Sequence, residues 1–110
     1  MITVKVVREL DNKIASFEMK GHAEAGPHGQ DIVCAGVSAV SFGAVNAIDK
    51  LCNVQLEVDM EDDGGFLRCT VPTDLDVQTY EKVQLLLEAM VVSLTSISEQ
   101  YAKHIKIRET

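Results

Sequence analysis

The sequence predicts an α+β fold: a single domain in the order β-β-α-β-β-α-β, with two helices and a mostly antiparallel sheet. Three observations predict it. The chain has 110 residues, 46% of them hydrophobic, enough for one core and one domain. Short stretches alternate apolar and polar residues, as half-buried strands do, and they come in pairs separated by turn residues. Two longer stretches repeat apolar residues every three or four positions, as helices do. No linker, internal repeat or low-complexity segment divides the chain, so residues 1–110 are expected to form one domain.

Ile2, Val4 and Val6 alternate with Thr3 and Lys5, and Ala15, Phe17 and Met19 with Ser16, Glu18 and Lys20. Between them Asp11-Asn12 is a turn pair that tolerates positive φ. Residues 2–9 and 13–20 therefore read as an antiparallel hairpin that delivers His22 to the end of a sheet. Gly21, Gly26, Pro27 and Gly29 make the next segment a loop. Asp31 then caps a helix over about 31–52, because its carboxylate accepts from the free N–H groups of the first turn. Val33, Val37, Val40, Ala44, Ile48 and Leu51 form its core-facing stripe, with Cys34, Ser38, Ser41 and Val45 on a neighbouring face. Gly36 and Gly43 weaken this helix by about 1 kcal/mol each relative to Ala.

Residues 54–60 form a third strand, with Val54, Leu56, Val58 and Met60 as one row. Asp62-Asp63-Gly64-Gly65 is a turn signal. Leu67, Cys69 and Val71 alternate with Phe66, Arg68 and Thr70 in a fourth strand ended by Pro72. Cys69 falls in the inward row, and Cys52 is assigned to the core as well. Asp74 or Asp76 caps a second helix, whose stripe from Val77 through Leu87 and Leu94 to Tyr101 runs to near residue 102. Leu85, Leu86, Val91 and Val92 widen its apolar surface beyond one stripe, which points to burial against a second subunit. Ile105 and Ile107 alternate with His104, Lys106 and Arg108 in a last strand.

Composition bounds the function. The net charge is −7, without the basic patch of a nucleic-acid binder, and an acidic chain is drawn at long range to a basic partner. Apolar runs such as Leu85 to Leu87 are too short to cross a bilayer. The chain enters a strand pattern from Met1 without a signal-peptide profile. Three Cys, odd in number and irregular in spacing, make no disulfide framework. A cytoplasmic protein without membrane or direct nucleic-acid contacts is expected.

The chemistry gathers between Gly21 and Ser41. With Asp31 as cap, Cys34 stands at the third helical position, where unpaired N–H groups and the helix dipole favour an anion. The thiolate is the nucleophilic form of cysteine. His22, at the other end of the loop, is available as a base, and a Cys and a His joined by a flexible loop suit a cysteine hydrolase. Asp31 is either the cap alone or a third residue orienting His22. Ser38 lies one turn from Cys34, its hydroxyl either lining a substrate path or bonded back to its own helix. Gly21, Gly26 and Gly29 are turn residues or a hinge for loop closure. Backbone N–H groups at the helix start, that of Cys34 included, are the expected oxyanion donors.

Other readings compete. Cysteine in an apolar helix is commonly a small buried residue. His22, His28, Asp31 and Cys34 are metal-ligand types, but their spacing matches no tight zinc pattern, so no metal or cofactor is expected. A phosphate site lacks the P-loop Lys, and Asp31 would repel the anion. A thiol redox enzyme would need Cys52 or Cys69 as resolving cysteine. A non-catalytic dimeric adaptor would have no use for Cys34 at that position.

Gly21-His22-Ala23, then Gly29-x-Asp31-Ile32-Val33-Cys34-Ala35-x-Val37-Ser38-Ala39 and Asn46 further on, resemble the signature of the ribosomal-processing cysteine protease family (Prp), over essentially the whole chain. That family more often has Ala where Gly36 stands. The resemblance implies a cytoplasmic homodimer that removes the N-terminal extension of a basic large-subunit ribosomal protein, cutting after an aromatic residue. It implies Cys34 and His22 as the catalytic dyad, acting through a thioester acyl-enzyme.

Overall fold

The computed structural model describes residues 1–27, 31–62 and 64–110. Seven elements follow in the expected order: β1 (Ile2–Arg8), β2 (Ile14–Lys20), α1 (Ile32–Cys52), β3 (Glu57–Met60), β4 (Phe66–Thr70), α2 (Val77–Gln100) and β5 (Ile105–Glu109). The five strands form one sheet in the order β3-β4-β2-β1-β5. Three of its strand pairs are antiparallel and only β1–β5 is parallel. The mostly antiparallel α+β fold is therefore the one the alternation predicts.

β1 buries Ile2, Val4 and Val6, as expected. The β1–β2 turn also follows its residues, with Asn12 at φ 70 and the Asn12 N–H donating to the Glu9 carbonyl at 2.9 Å. β2 departs from simple alternation. Its register against β1 shifts where Val7 faces Ser16 but Arg8 faces Ile14, so Ala15 is the extra residue of a bulge. Ile14, not Ala15, then joins Phe17 and Met19 in the core. Gln84 of α2 clasps both sides of Ile14, accepting from its N–H and donating to its carbonyl, each at 2.8 Å. That clasp satisfies a buried amide and locks the hairpin to α2.

The third strand is shorter than the alternation predicts. It begins at Glu57, and the expected row splits: Val54 and Leu56 are buried, whereas Val58 is 43% and Met60 59% exposed. β3 is an edge strand, so its side chains lack a second neighbouring strand and a covering layer. β4 buries Leu67 and Cys69, with Cys69 opposite both Phe17 and Val58.

α1 is capped by Asp31 and ends at Asn53, which takes the left-handed conformation. Val33, Val37 and Ile48 are buried, Val40 and Ala44 partly so, while Leu51 faces solvent and Cys52 is only half-buried. Ser41 is buried on the same side, its hydroxyl donating to the Val37 carbonyl at 2.8 Å. By length and composition α1 is apolar enough to cross a bilayer, although no unbroken apolar run within it is long. Here its buried residues belong to the core. α2 is capped by Asp76, whose carboxylate accepts from the Thr79 N–H at 3.0 Å, and it ends at Gln100. Val83, Leu87, Met90 and Leu94 form its buried stripe, and Val77, Leu85 and Val92 stay exposed.

Candidate active site

Where β2 ends, Gly21 turns the chain with φ 93. A Cβ there would stand 2.5 Å from the Met1 carbonyl oxygen, and the Gly21 N–H donates to the Gly65 carbonyl at 2.9 Å. Both the backbone angle and the space require glycine. Gly21 is thus held as a turn residue that brings His22 to the sheet end. Gly26 lies exposed further along the loop. Gly29 and His28 lie outside the described residues.

After the turn the loop is tied down one residue at a time. Ala23 is 1% exposed, and its N–H donates to the Cys34 sulfur at 3.4 Å. Its carbonyl accepts from the ring of His104, with Nδ1 at 2.9 Å. Glu24 takes φ 55, and the Ala25 N–H donates to Asp31 Oδ2 at 2.8 Å. Asp31 Oδ1 meanwhile accepts from the Val33 and Cys34 N–H groups, both at 3.0 Å. These bonds, that from Cys34 foremost, hold the Asp31 carboxyl below the usual carboxylate range.

Asp31 is therefore the helix cap and also the anchor of the His22 loop, and among the described residues nothing hydrogen-bonds the His22 ring. The oxyanion expectation needs correction. The Cys34 N–H is already donated to Asp31, so it is not an open donor in this structure.

Cys34, half-buried, and His22, exposed, line one cleft of about 160 Å³ together with Ser38, Phe42, Met60 and Phe66. Ser38 is exposed one turn from Cys34; the hydroxyl that bonds back to the helix on this face is that of Ser41. The cleft thus joins a thiol and an imidazole to an apolar wall drawn from α1, β3 and β4. Sequence reasoning found the first two and missed the wall. Met60 was read only as one member of the Val54 row, and Phe66 as one of the residues alternating with the inward row of its strand.

The other cysteines stand apart. Cys52 is at the far end of α1, about 27 Å from Cys34 at about 1.5 Å per residue. Cys69 is buried, and burial pushes its thiol up to about 11, so it stays protonated at neutral pH. Neither suits the resolving role that a thiol redox enzyme needs.

The family model described as cysteine protease Prp matches residues 1–106. A ribosomal processing cysteine protease Prp from Bacillus subtilis is 45% identical over 107 residues, covering 97% of this chain and 96% of the relative. Two crystal structures of the S. aureus ribosomal processing protease Prp are similar over the full length of both chains. The complex with a covalently linked product peptide has TM-score 0.91 and 37% identity. The complex with a substrate peptide has TM-score 0.85 and 36% identity. With thiol and imidazole facing one cleft, and the family's pattern running from residue 1 to residue 106, this chain belongs to the Prp family of cysteine proteases.

Proposed function

We propose that this chain is an endopeptidase that removes the N-terminal extension of a bacterial large-subunit ribosomal protein, with Cys34 as nucleophile and His22 as general base and acid. The observation that carries the reading is the Cys34 sulfur, tied by the Ala23 N–H, opening on the cleft that His22 also lines. The names of the relatives supply the substrate class, and the S. aureus complex with a covalently linked product peptide supports covalent catalysis.

The reaction proceeds in two halves. His22 takes the Cys34 proton as the sulfur adds to the scissile carbonyl carbon. The tetrahedral intermediate collapses, breaking the C–N bond, and His22 gives its proton to the leaving amine. Water then adds to the thioester with His22 as base. The C–S bond breaks, the acid leaves, and Cys34 regains its proton. The Ala23 N–H, directed at sulfur, holds the nucleophile in place beside the cleft. Phe42, Met60 and Phe66 offer an apolar surface for an aromatic residue before the cut. Ser38 lines the path of the peptide. Asp31 acts by fixing the helix start and the loop. Gly26, exposed in the loop, serves as the hinge for closure over substrate.

The enzyme works in the cytoplasm as a homodimer, without metal or cofactor. An acidic chain of net charge −7 attracts a basic ribosomal protein. The adaptor reading shares this attraction and differs in the outcome of one experiment. A peptide spanning the extension junction is incubated with wild type, Cys34→Ala and His22→Ala, and products are located by mass spectrometry. One defined cut by wild type, none by Cys34→Ala and a loss of about a hundredfold or more in His22→Ala is expected. A peptide bound by all three proteins and left intact would favour the adaptor.

A further inference from the structure

We propose that His104 is a positioning residue for this dyad: its ring N–H, by holding the Ala23 carbonyl, fixes the segment that presents His22 to Cys34. The inference rests on the Cys34/His22 reading above. A carbonyl oxygen only accepts, so the 2.9 Å contact requires the proton on Nδ1 of His104. The ring is launched from a fixed point, between the end of α2 and the start of β5. The His104 N–H donates to the Tyr101 carbonyl and its own carbonyl accepts from the Ile2 N–H, each at 2.8 Å.

Ala23 is where this matters. At 1% exposure its carbonyl has no ready access to water, so losing the His104 donor leaves a buried acceptor unsatisfied. Its N–H points the other way, to the Cys34 sulfur. The Cys34 bond lies on the peptide plane that follows His22 and the His104 bond on the plane that follows Ala23, so His104 holds Ala23 from its far side and steadies the bond next to His22. Nothing among the described residues bonds the His22 ring, so the hydrogen bonds that place this residue are those of the adjoining backbone. The next tie, from Ala25 to Asp31, lies beyond Glu24 at φ 55 and does not reach back to His22. Small misplacement of a catalytic group costs rate more than binding.

The test compares wild type, His104→Ala and His104→Asn. An asparagine amide nitrogen stands at the same point along the side chain as Nδ1 and donates to a carbonyl. Two quantities are read: kcat and KM on the junction peptide, and amide hydrogen exchange at Ala23 against the core amides of Val4 and Phe17. His104→Ala is expected to lower kcat about tenfold to a hundredfold with KM within about twofold. Its Ala23 exchange rises about tenfold while the core amides keep their protection. His104→Asn recovers both to within about threefold of wild type. Wild-type kcat and Ala23 exchange in His104→Ala overturn the proposal, as does an asparagine variant as impaired as the alanine one.

Should His104→Ala fail to fold, His104→Asn is set against His104→Asp, equal in size but without the N–H. A kcat lost only in the aspartate variant supports the proposal, and equal kcat in both overturns it. A wild type that cleaves no junction peptide would sink the protease reading, whereas Ala23 exchange would still decide the role of His104.

Discussion

One carboxylate at Asp31 serves both walls of the cleft. Its Oδ1 accepts from Val33 and Cys34 and its Oδ2 from Ala25, so the nucleophile's helix and the histidine's loop share one anchor. The three donors stabilise the charged form, which lowers the pKa. A carboxyl depressed in the folded state contributes stability that is fully present above its unfolded value, about 3.9, and is lost as pH falls through the folded value. Asp31→Ala is therefore expected to melt at a lower temperature than wild type by a constant margin from about pH 5 to 7. The margin should shrink on going below about pH 3.9. Thermal melts across that range read it directly, and a margin that stays constant to the most acid pH would show that the charge plays no part. Hydrolysis by the same variant should fall at neutral pH, because Cys34 and the loop lose their common reference.

Within the elements, α1 shows what local sequence decides and what it does not. Its cap, its length and its buried Val33, Val37 and Ile48 were legible, because capping and a 3.6-residue period act within a few residues. Gly36 was read as a cost to the helix, and the structure shows no compensating need for it. A Cβ there would lie 3.7 Å from Ile97 Cδ1 of α2, an ordinary contact, and one at Gly43 would meet nothing within 4 Å. Gly36→Ala is expected to raise unfolding stability by about 1 kcal/mol, and at least as much as Gly43→Ala, since only position 36 also gains packing against α2. Urea unfolding of both variants checks this; a destabilised Gly36→Ala would mean that α1 and α2 approach more closely than 3.7 Å allows. Period alone misread β2 and β3. Alternation identifies residues sharing a face, yet it sees neither the bulge that turns Ile14 inward nor that β3 ends the sheet. The bond from His104 to Ala23 joins residues far apart in sequence and leaves no local signal at either end.

At the scale of the whole molecule, β1 sits between β2 and β5, and its two ends tie the site and α2 to the sheet. Met1 meets Gly21, Ile2 binds the backbone of His104, and Arg8 at the other end bonds Glu88 of α2 and Glu109 of β5. That arrangement buries only part of α2. Leu85 and Val92 remain 70% and 67% exposed, seven residues apart and so on one side of the helix, two turns from each other. The stripe formed by Val83, Leu87 and Leu94 is spent on the core. Of the four residues whose breadth predicted a second subunit, Val91 is buried in the chain's own core and Leu86 half-buried against it, so only Leu85 and Val92 are left open, and a homodimer formed through this side of α2 is the expected occupant. Sedimentation of the Leu85→Glu, Val92→Glu double variant tests it. Four glutamates brought face to face across a two-fold interface would be desolvated and mutually repelling. The variant should sediment as a monomer at concentrations where wild type is dimeric, with its cooperative melting retained because neither residue belongs to the core. A double variant that stays dimeric would move the interface to another surface, and a monomeric wild type would remove the need for one.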